Sequence, residues 1–196
     1  MSAADTGPAA TGTANPLFET SPLPFELPPF ADVTLEHCRE AILAGMAEQR
    51  DEVARITGSA EPATFENTLV ALERSGRLLT RGSLAFHNLA SSMSTPRLRE
   101  IERELAPLEA AHSDALRLDP ALFARIDALH GQRHDLGLGA EEVRLVERYH
   151  LDFVLSGAQL DEAGRSRLTE LNQELSALST RFGQNLQEAT EAAAVR

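Results

Sequence analysis

Between Pro62 and Leu79 the chain places Phe65, Leu69, Leu72 and Leu79 at intervals of four, three and seven residues, directly behind Thr64. A helix brings such positions onto one face, whereas a strand would bury alternate residues. Thr64 is an N-cap by residue type, and Glu66 falls in the first turn, where the positive end of the helix favours a carboxylate. The rest of the chain is expected to pack around this helix, and the same signals recur on both sides of it.

Ahead of it, Asp32 or Thr34 can cap a helix whose apolar positions are Leu35, Cys38, Ile42, Met46, Val53 and Ile56, ending at Gly58. Cys38 lies on that stripe and reads as a buried structural thiol. Behind it, the Ser75-Gly76 and Gly82-Ser83 pairs mark a kink or a close neighbour. Thr95-Pro96 opens a further helix with Leu98, Ile101, Leu105 and Leu108 inward and a bend expected near Pro107. Asp119-Pro120 opens a short helix carrying Leu122, Phe123, Ile126 and Leu129, followed by a loop from Gly131 to Gly139. Glu141 to Ser156 is helical, with Val143, Val146, Tyr149 and Phe153 inward. From Asp161 onward Leu168, Leu171, Leu175, Leu178 and Phe182 repeat three and four apart, a coiled-coil-like seam on the longest helix. No stretch ahead of the last few residues reads as a strand. The expected fold class is all-α, about six amphipathic helices in an antiparallel bundle-like domain over residues 32–196.

Residues 15–31 hold five prolines among apolar side chains, which forbids helix but gives Phe18, Phe25 and Phe30 something to bury. They are expected to form an extended arm strapped over the helices. Residues 1–14, made up of Ala, Thr, Gly, Ser and Pro with one Asp after Met1 and without a basic start or an apolar run, are expected to be a disordered tail rather than a signal peptide.

Composition narrows the classes of function. The net charge is −12, and all 18 basic residues are arginine. That balance disfavours a nucleic-acid or anionic-membrane surface, both of which recruit positive patches. A single cysteine excludes an intrachain disulfide and fits a reducing cytoplasm.

Zinc hydrolysis on a helix needs His-Glu-x-x-His, because positions i and i+4 share a face and the glutamate activates the metal-bound water. No histidine here is followed by glutamate; His130 and His134 are four apart, but Gly131 stands where the base should be. Two Glu-x-x-His pairs, Glu109 with His112 and Glu147 with His150, match the pairing of ferritin-like di-iron proteins, with Glu73 and Glu174 as the further carboxylates such a site needs. The competing reading is of ordinary surface and core-edge residues in a glutamate-rich chain, with His112 a hydrogen-bonded core histidine on the stripe of Leu105 and Leu108. Neither a nucleophile elbow nor a glycine-rich phosphate loop is present.

Several segments together resemble the amino-terminal region of the thimet oligopeptidase family of zinc metallopeptidases, in its peptidyl-dipeptidase and oligopeptidase A branch. They are Asn-Pro-Leu at 15–17, Leu-Pro-Phe-Glu-Leu-Pro-Pro-Phe at 23–30, Glu-His at 36–37 and Gly-Met-Ala-Glu-Gln at 45–49. Thr-Phe-Glu-Asn-Thr at 64–68 follows, with Leu-Glu-Arg-Ser-Gly at 72–76, Asn-Leu at 88–89, Leu-Ala-Pro at 105–107, Ala-His at 111–112 and Leu-Asn-Gln-Glu-Leu at 171–175. Gly82 and His87 stand where the family pattern has apolar side chains.

The resemblance implies two helical halves enclosing a channel, zinc held by a His-Glu-x-x-His helix and a further glutamate, and hydrolysis of short peptides by zinc-activated water. It places those residues beyond Arg196, so no catalytic, cofactor-binding or metal residue is expected in this chain and no zinc is expected to be bound by it. The expected role is one wall of the channel, with short peptides and the catalytic part as partners and the cytoplasm as location. The alternatives are a freestanding helical interaction module and, behind it, a di-iron protein.

Overall fold

The computed structural model describes residues 14–93 and 95–193. Most of the tail expected at residues 1–14 therefore lies outside the described residues. The described chain is helical, with no strand. Helix α1 spans Leu35–Thr57. Helix α2 begins as a π-helical segment, Phe65–Val70, and continues as a short α-helical one, Ala71–Glu73. Then come α3 (Arg77–Ser92), α4 (Pro96–Arg117), α5 (Pro120–Gln132), α6 (Ala140–Leu155) and α7 (Glu162–Ala193). The helix expected to run past Leu79 is divided in two. Gly76 adopts φ +69, a left-handed conformation that ends α2, and its N–H is held by Glu52 Oε2 at 2.7 Å.

Local capping accounts for the starts. Thr34, Thr64 and Thr95 each accept the backbone N–H three residues on, and Asp119 Oδ1 accepts from both Ala121 and Leu122. Pro96 and Pro120 occupy first-turn positions where a missing N–H costs nothing. Pro107 lies inside α4, which continues through it to Arg117.

The interior forms two clusters, and α1 runs through both. Its first half supplies Cys38, Ala41, Ile42 and Met46 to a core shared with Leu78, Phe86, Leu98, Ile101 and Leu105. Its second half gives Val53 and Ile56 to a core shared with Leu69, Leu122, Ile126, Val146 and Phe153. The organising element is thus α1; the segment around Thr64 enters only the second core, because Gly76 turns the chain before Leu78 reaches the first. Helix α1 packs most extensively on α3, at very short range: a Cβ on Gly82 would stand 3.1 Å from both Ala41 Cβ and the Ile42 nitrogen. Cys38 is fully buried, and burial pushes its thiol up to about 11, the property of a structural rather than a reactive cysteine.

The arm is anchored by residues other than its phenylalanines. Leu17 is fully buried, and Arg81 of α3 donates to the carbonyls of Leu17 and Phe18 at 2.7 and 3.3 Å. Asn15 donates to the His37 carbonyl and to Glu40. Phe18 and Phe30 remain partly exposed, and Phe25 is 96% exposed, because Phe25 and Glu26 take left-handed φ values of 60 and 55 that turn the ring outward.

The seam on α7 is real but faces away from the bundle. Of the expected seam Leu171, Leu175, Leu178 and Phe182 are exposed, as is Leu186 on the same stripe, with Phe182 at 70%, whereas Leu168 at the start of the seam is half-buried beside Gly157. The opposite, polar face carries the contact with α4: Asn172 donates to Asp114, Ser176 to the Ala106 carbonyl, and Gln184, 5% exposed, to the Arg99 carbonyl and Glu102. Periodicity identifies which face is apolar; it does not say which face the neighbours cover.

Candidate functional site

Helices α1 to α6 all contribute to one cleft of about 460 Å³, within the size range of small-ligand sites. Its apolar wall includes Leu79, Leu116 and Phe153, and its polar groups come from four helices. Ser83 of α3 donates to Glu109 Oε1 of α4 at 3.0 Å, fixing that carboxylate at the edge of the cleft. His112, one turn further along α4, is 6% exposed and its Nε2 lies 2.7 Å from Gln49 Oε1 of α1. From α6, Tyr149 donates its hydroxyl to Glu73, and burial together with that carboxylate drives the phenol well above its ordinary range.

The tautomer of His112 follows from its neighbours. Gln49 Nε2 donates to Ser75 Oγ at 3.2 Å, and Ser75 Oγ donates to the Leu72 carbonyl at 2.7 Å. The Gln49 oxygen therefore faces the imidazole, so His112 Nε2 carries the proton and Nδ1 is an acceptor. Nδ1 is buried and has no partner. Burial, with help from the charge of Arg50, lowers the histidine pKa and keeps the ring neutral.

The expected core histidine is thus found, while the alternative di-iron set is not assembled. Glu73 is occupied by Tyr149, and Glu174 is exposed on α7. His150 turns towards α5: its ring stacks on His130 at 3.9 Å with an interplanar angle of 7°, and its Nε2 meets Asp127 Oδ1 at 3.0 Å. His134, four residues from His130, is exposed. Glu147 is held below the usual carboxylate range by hydrogen bonds from Arg133 and Arg144. Among the described residues, no group of three His, Cys, Asp or Glu side chains is placed to hold a metal ion. Nor is any helix among them long and apolar enough to cross a membrane.

No family model matches the chain. Curated relatives do match: the dipeptidyl carboxypeptidase of Salmonella typhimurium is 39% identical over 92% of this chain, and its Escherichia coli counterpart is 37% identical over 89%. Oligopeptidase A of Escherichia coli is 30% identical over 87% of the chain. The chain belongs to the thimet oligopeptidase family. It spans about a quarter of the length of these relatives, 26%, 26% and 25% in turn. Of the two positions that depart from the expected apolar pattern, Gly82 lies at the close approach of α1 and α3, and His87 is exposed with its Nδ1 2.8 Å from the Ser83 carbonyl.

A pH dependence follows from the two histidines with lowered pKa. His112 is lowered chiefly by burial, and His130 by burial, the adjacent His150 and Arg133. In the unfolded chain both titrate near the ordinary value of 6.5. The unfolded state therefore binds protons first as pH falls, so their contribution is fully present above about 6.5 and is lost on acidification through the lower folded values. Urea midpoints measured from pH 7.5 to pH 5 are expected to decline, and a midpoint that rises over this window would contradict the assignment.

Proposed function

We propose that this chain is the amino-terminal helical part of a zinc-dependent oligopeptidase or peptidyl-dipeptidase that hydrolyses short peptides in the cytoplasm. In this reading it forms one wall of the substrate channel and leaves zinc and the catalytic motif to the remainder of the enzyme. The arm over residues 15–31 and a helical domain from residue 32 onward are part of the same proposal.

The match to peptidases of which this chain covers about a quarter carries the reading. The outward stripe of α7 supports it further. A helix of 32 residues is about 48 Å long, and five large apolar side chains uncovered along it form the kind of surface that another structural element normally buries. His-Glu-x-x-His is absent from the 196 residues.

Two measurements test the proposal. The purified chain, supplied with zinc, is expected to leave oligopeptides intact; zinc-dependent cleavage would overturn it. The chain alone is also expected to self-associate and to bind anilinonaphthalene sulfonate, and replacing Leu175 and Phe182 together by Glu is expected to reduce both while leaving the helical circular dichroism unchanged. A monomer that binds no dye would count against an uncovered face.

A further inference from the structure

The polar capacity left over around Glu109 and His112 is of one kind. Glu109 receives one neutral hydrogen bond, from Ser83, and its other oxygen lies 4.0 Å from His87, an exposed imidazole. Among the described residues no arginine is paired with it. The second cleft carboxylate, Asp152, is shared with Arg148 at 3.0 Å, and the one cleft guanidinium, Arg117, reaches out to Ser156 Oγ at 3.3 Å. His112, nine-tenths buried, adds an unpartnered acceptor in Nδ1, and the Tyr149 hydroxyl is already committed to Glu73. Around Glu109 and His112 the capacity that remains is for accepting hydrogen bonds, and in the cleft as a whole two carboxylates, Glu109 and Asp152, stand against the single guanidinium of Arg117. Beside them stand Leu79, Leu116 and Phe153, which favour an apolar stem.

We infer that this cleft is a binding site for a cationic group on an aliphatic stem, and that its occupant is the basic side chain of a peptide, with Glu109 as counter-ion and the leucine and phenylalanine wall against the methylenes. The cation follows from the cleft itself; only the peptide as its source rests on the peptidase reading. A charge-assisted hydrogen bond to a half-buried carboxylate is stronger than a neutral one, and an arginine side chain presents both the charge and the donors. An anionic group placed beside Glu109 would meet like charge there.

The test is a titration of the 196-residue chain with N-acetyl-arginine methylamide, followed through the His112 ring resonance, beside its neutral isostere N-acetyl-citrulline methylamide. The arginine compound is expected to bind at least roughly tenfold more tightly, the ratio one charge-assisted hydrogen bond supports. Glu109→Gln is expected to erase that ratio while the helical circular dichroism stays unchanged. Raising salt from about 0.1 to 1 M is expected to weaken arginine binding without need of any variant, since the screening length contracts from about 10 to 3 Å. Equal binding of the two compounds, or a preference that survives Glu109→Gln, overturns the cation site. A capped arginine-containing tripeptide and butylguanidinium form the second arm: butylguanidinium binding with the tripeptide excluded overturns the peptide source, whatever the activity of the longer enzyme proves to be.

Discussion

Gly45→Ala is expected to lower the thermal midpoint of the chain by about 6–12 °C, from a net loss of about 3 kcal/mol. The added Cβ would stand 2.5 Å from the Leu79 Cα and 2.9 Å from the Leu78 carbonyl carbon, and closer still to the Leu79 nitrogen. These are backbone atoms of α3, so no side chain can swing aside and the two helices must separate. Their separation opens the core of Cys38, Ile42, Leu78 and Phe86, all buried. Alanine is the better helix former by about 1 kcal/mol, so the clash is opposed by a real gain, and the net loss is set by the packing. Gly131 in α5 is the internal control, because a Cβ there meets nothing within 4 Å. Gly131→Ala is expected to leave the midpoint unchanged or to raise it slightly. Thermal unfolding of both variants by circular dichroism decides the matter, and equal tolerance of the two substitutions would remove the close approach of α1 and α3 as the basis of this core.

This contrast shows what could be read before the fold was known. Caps such as Thr34, Thr64, Thr95 and Asp119 were legible, because a side chain bonding a backbone N–H two or three residues away depends on nothing distant. The Ser75-Gly76 pair signalled a break, and Gly76 supplies it with a positive φ. Gly45 gave no comparable signal: a lone glycine inside a helix looks the same whether its missing side chain admits a neighbour or faces water, and the difference lies in α3, more than thirty residues away. The seam of α7 was legible as a pattern but not as an orientation, since the partner of an apolar stripe need not lie within the same stretch of chain. His112 was legible as a core histidine from its stripe on α4. Its place beside Glu109, Ser83 and Gln49 was not, because three helices must meet before those side chains share a cleft.

Arg125→Met is expected to cost about 2–4 kcal/mol, an effect carried by hydrogen bonds rather than by volume. Arg125 of α5 donates to Asn67 Oδ1 at 2.8 Å, to Thr68 Oγ1 at 3.2 Å and to the carbonyls of Ser59 and Glu61 at 3.4 and 3.1 Å. Asn67 is the other half of the clasp. Its Oδ1 also accepts from the Thr64 N–H at 2.8 Å and from Thr68 Oγ1 at 2.9 Å, and its Nδ2 donates to the Pro62 carbonyl at 3.0 Å. Thr68 is fully buried, so losing either partner leaves its hydroxyl with fewer bonds away from water. The Thr-Phe-Glu-Asn-Thr segment is therefore a capped helix start locked to α5, which holds the connection from α1 to α2 in place beside the second core. Asn67→Ala is expected to lose a similar amount, whereas Asn67→Asp, which keeps the acceptor and adds a charge facing Arg125, is expected to retain most of the stability. Because the groups act as one network, the double variant Asn67→Ala with Arg125→Met should lose less than the sum of the singles, by about 1 kcal/mol or more. Urea denaturation of the four chains of this cycle measures the coupling. Strict additivity would mean that Arg125 and Asn67 stabilise the chain separately, and that the motif by which the chain resembles its family acts through its own helix alone.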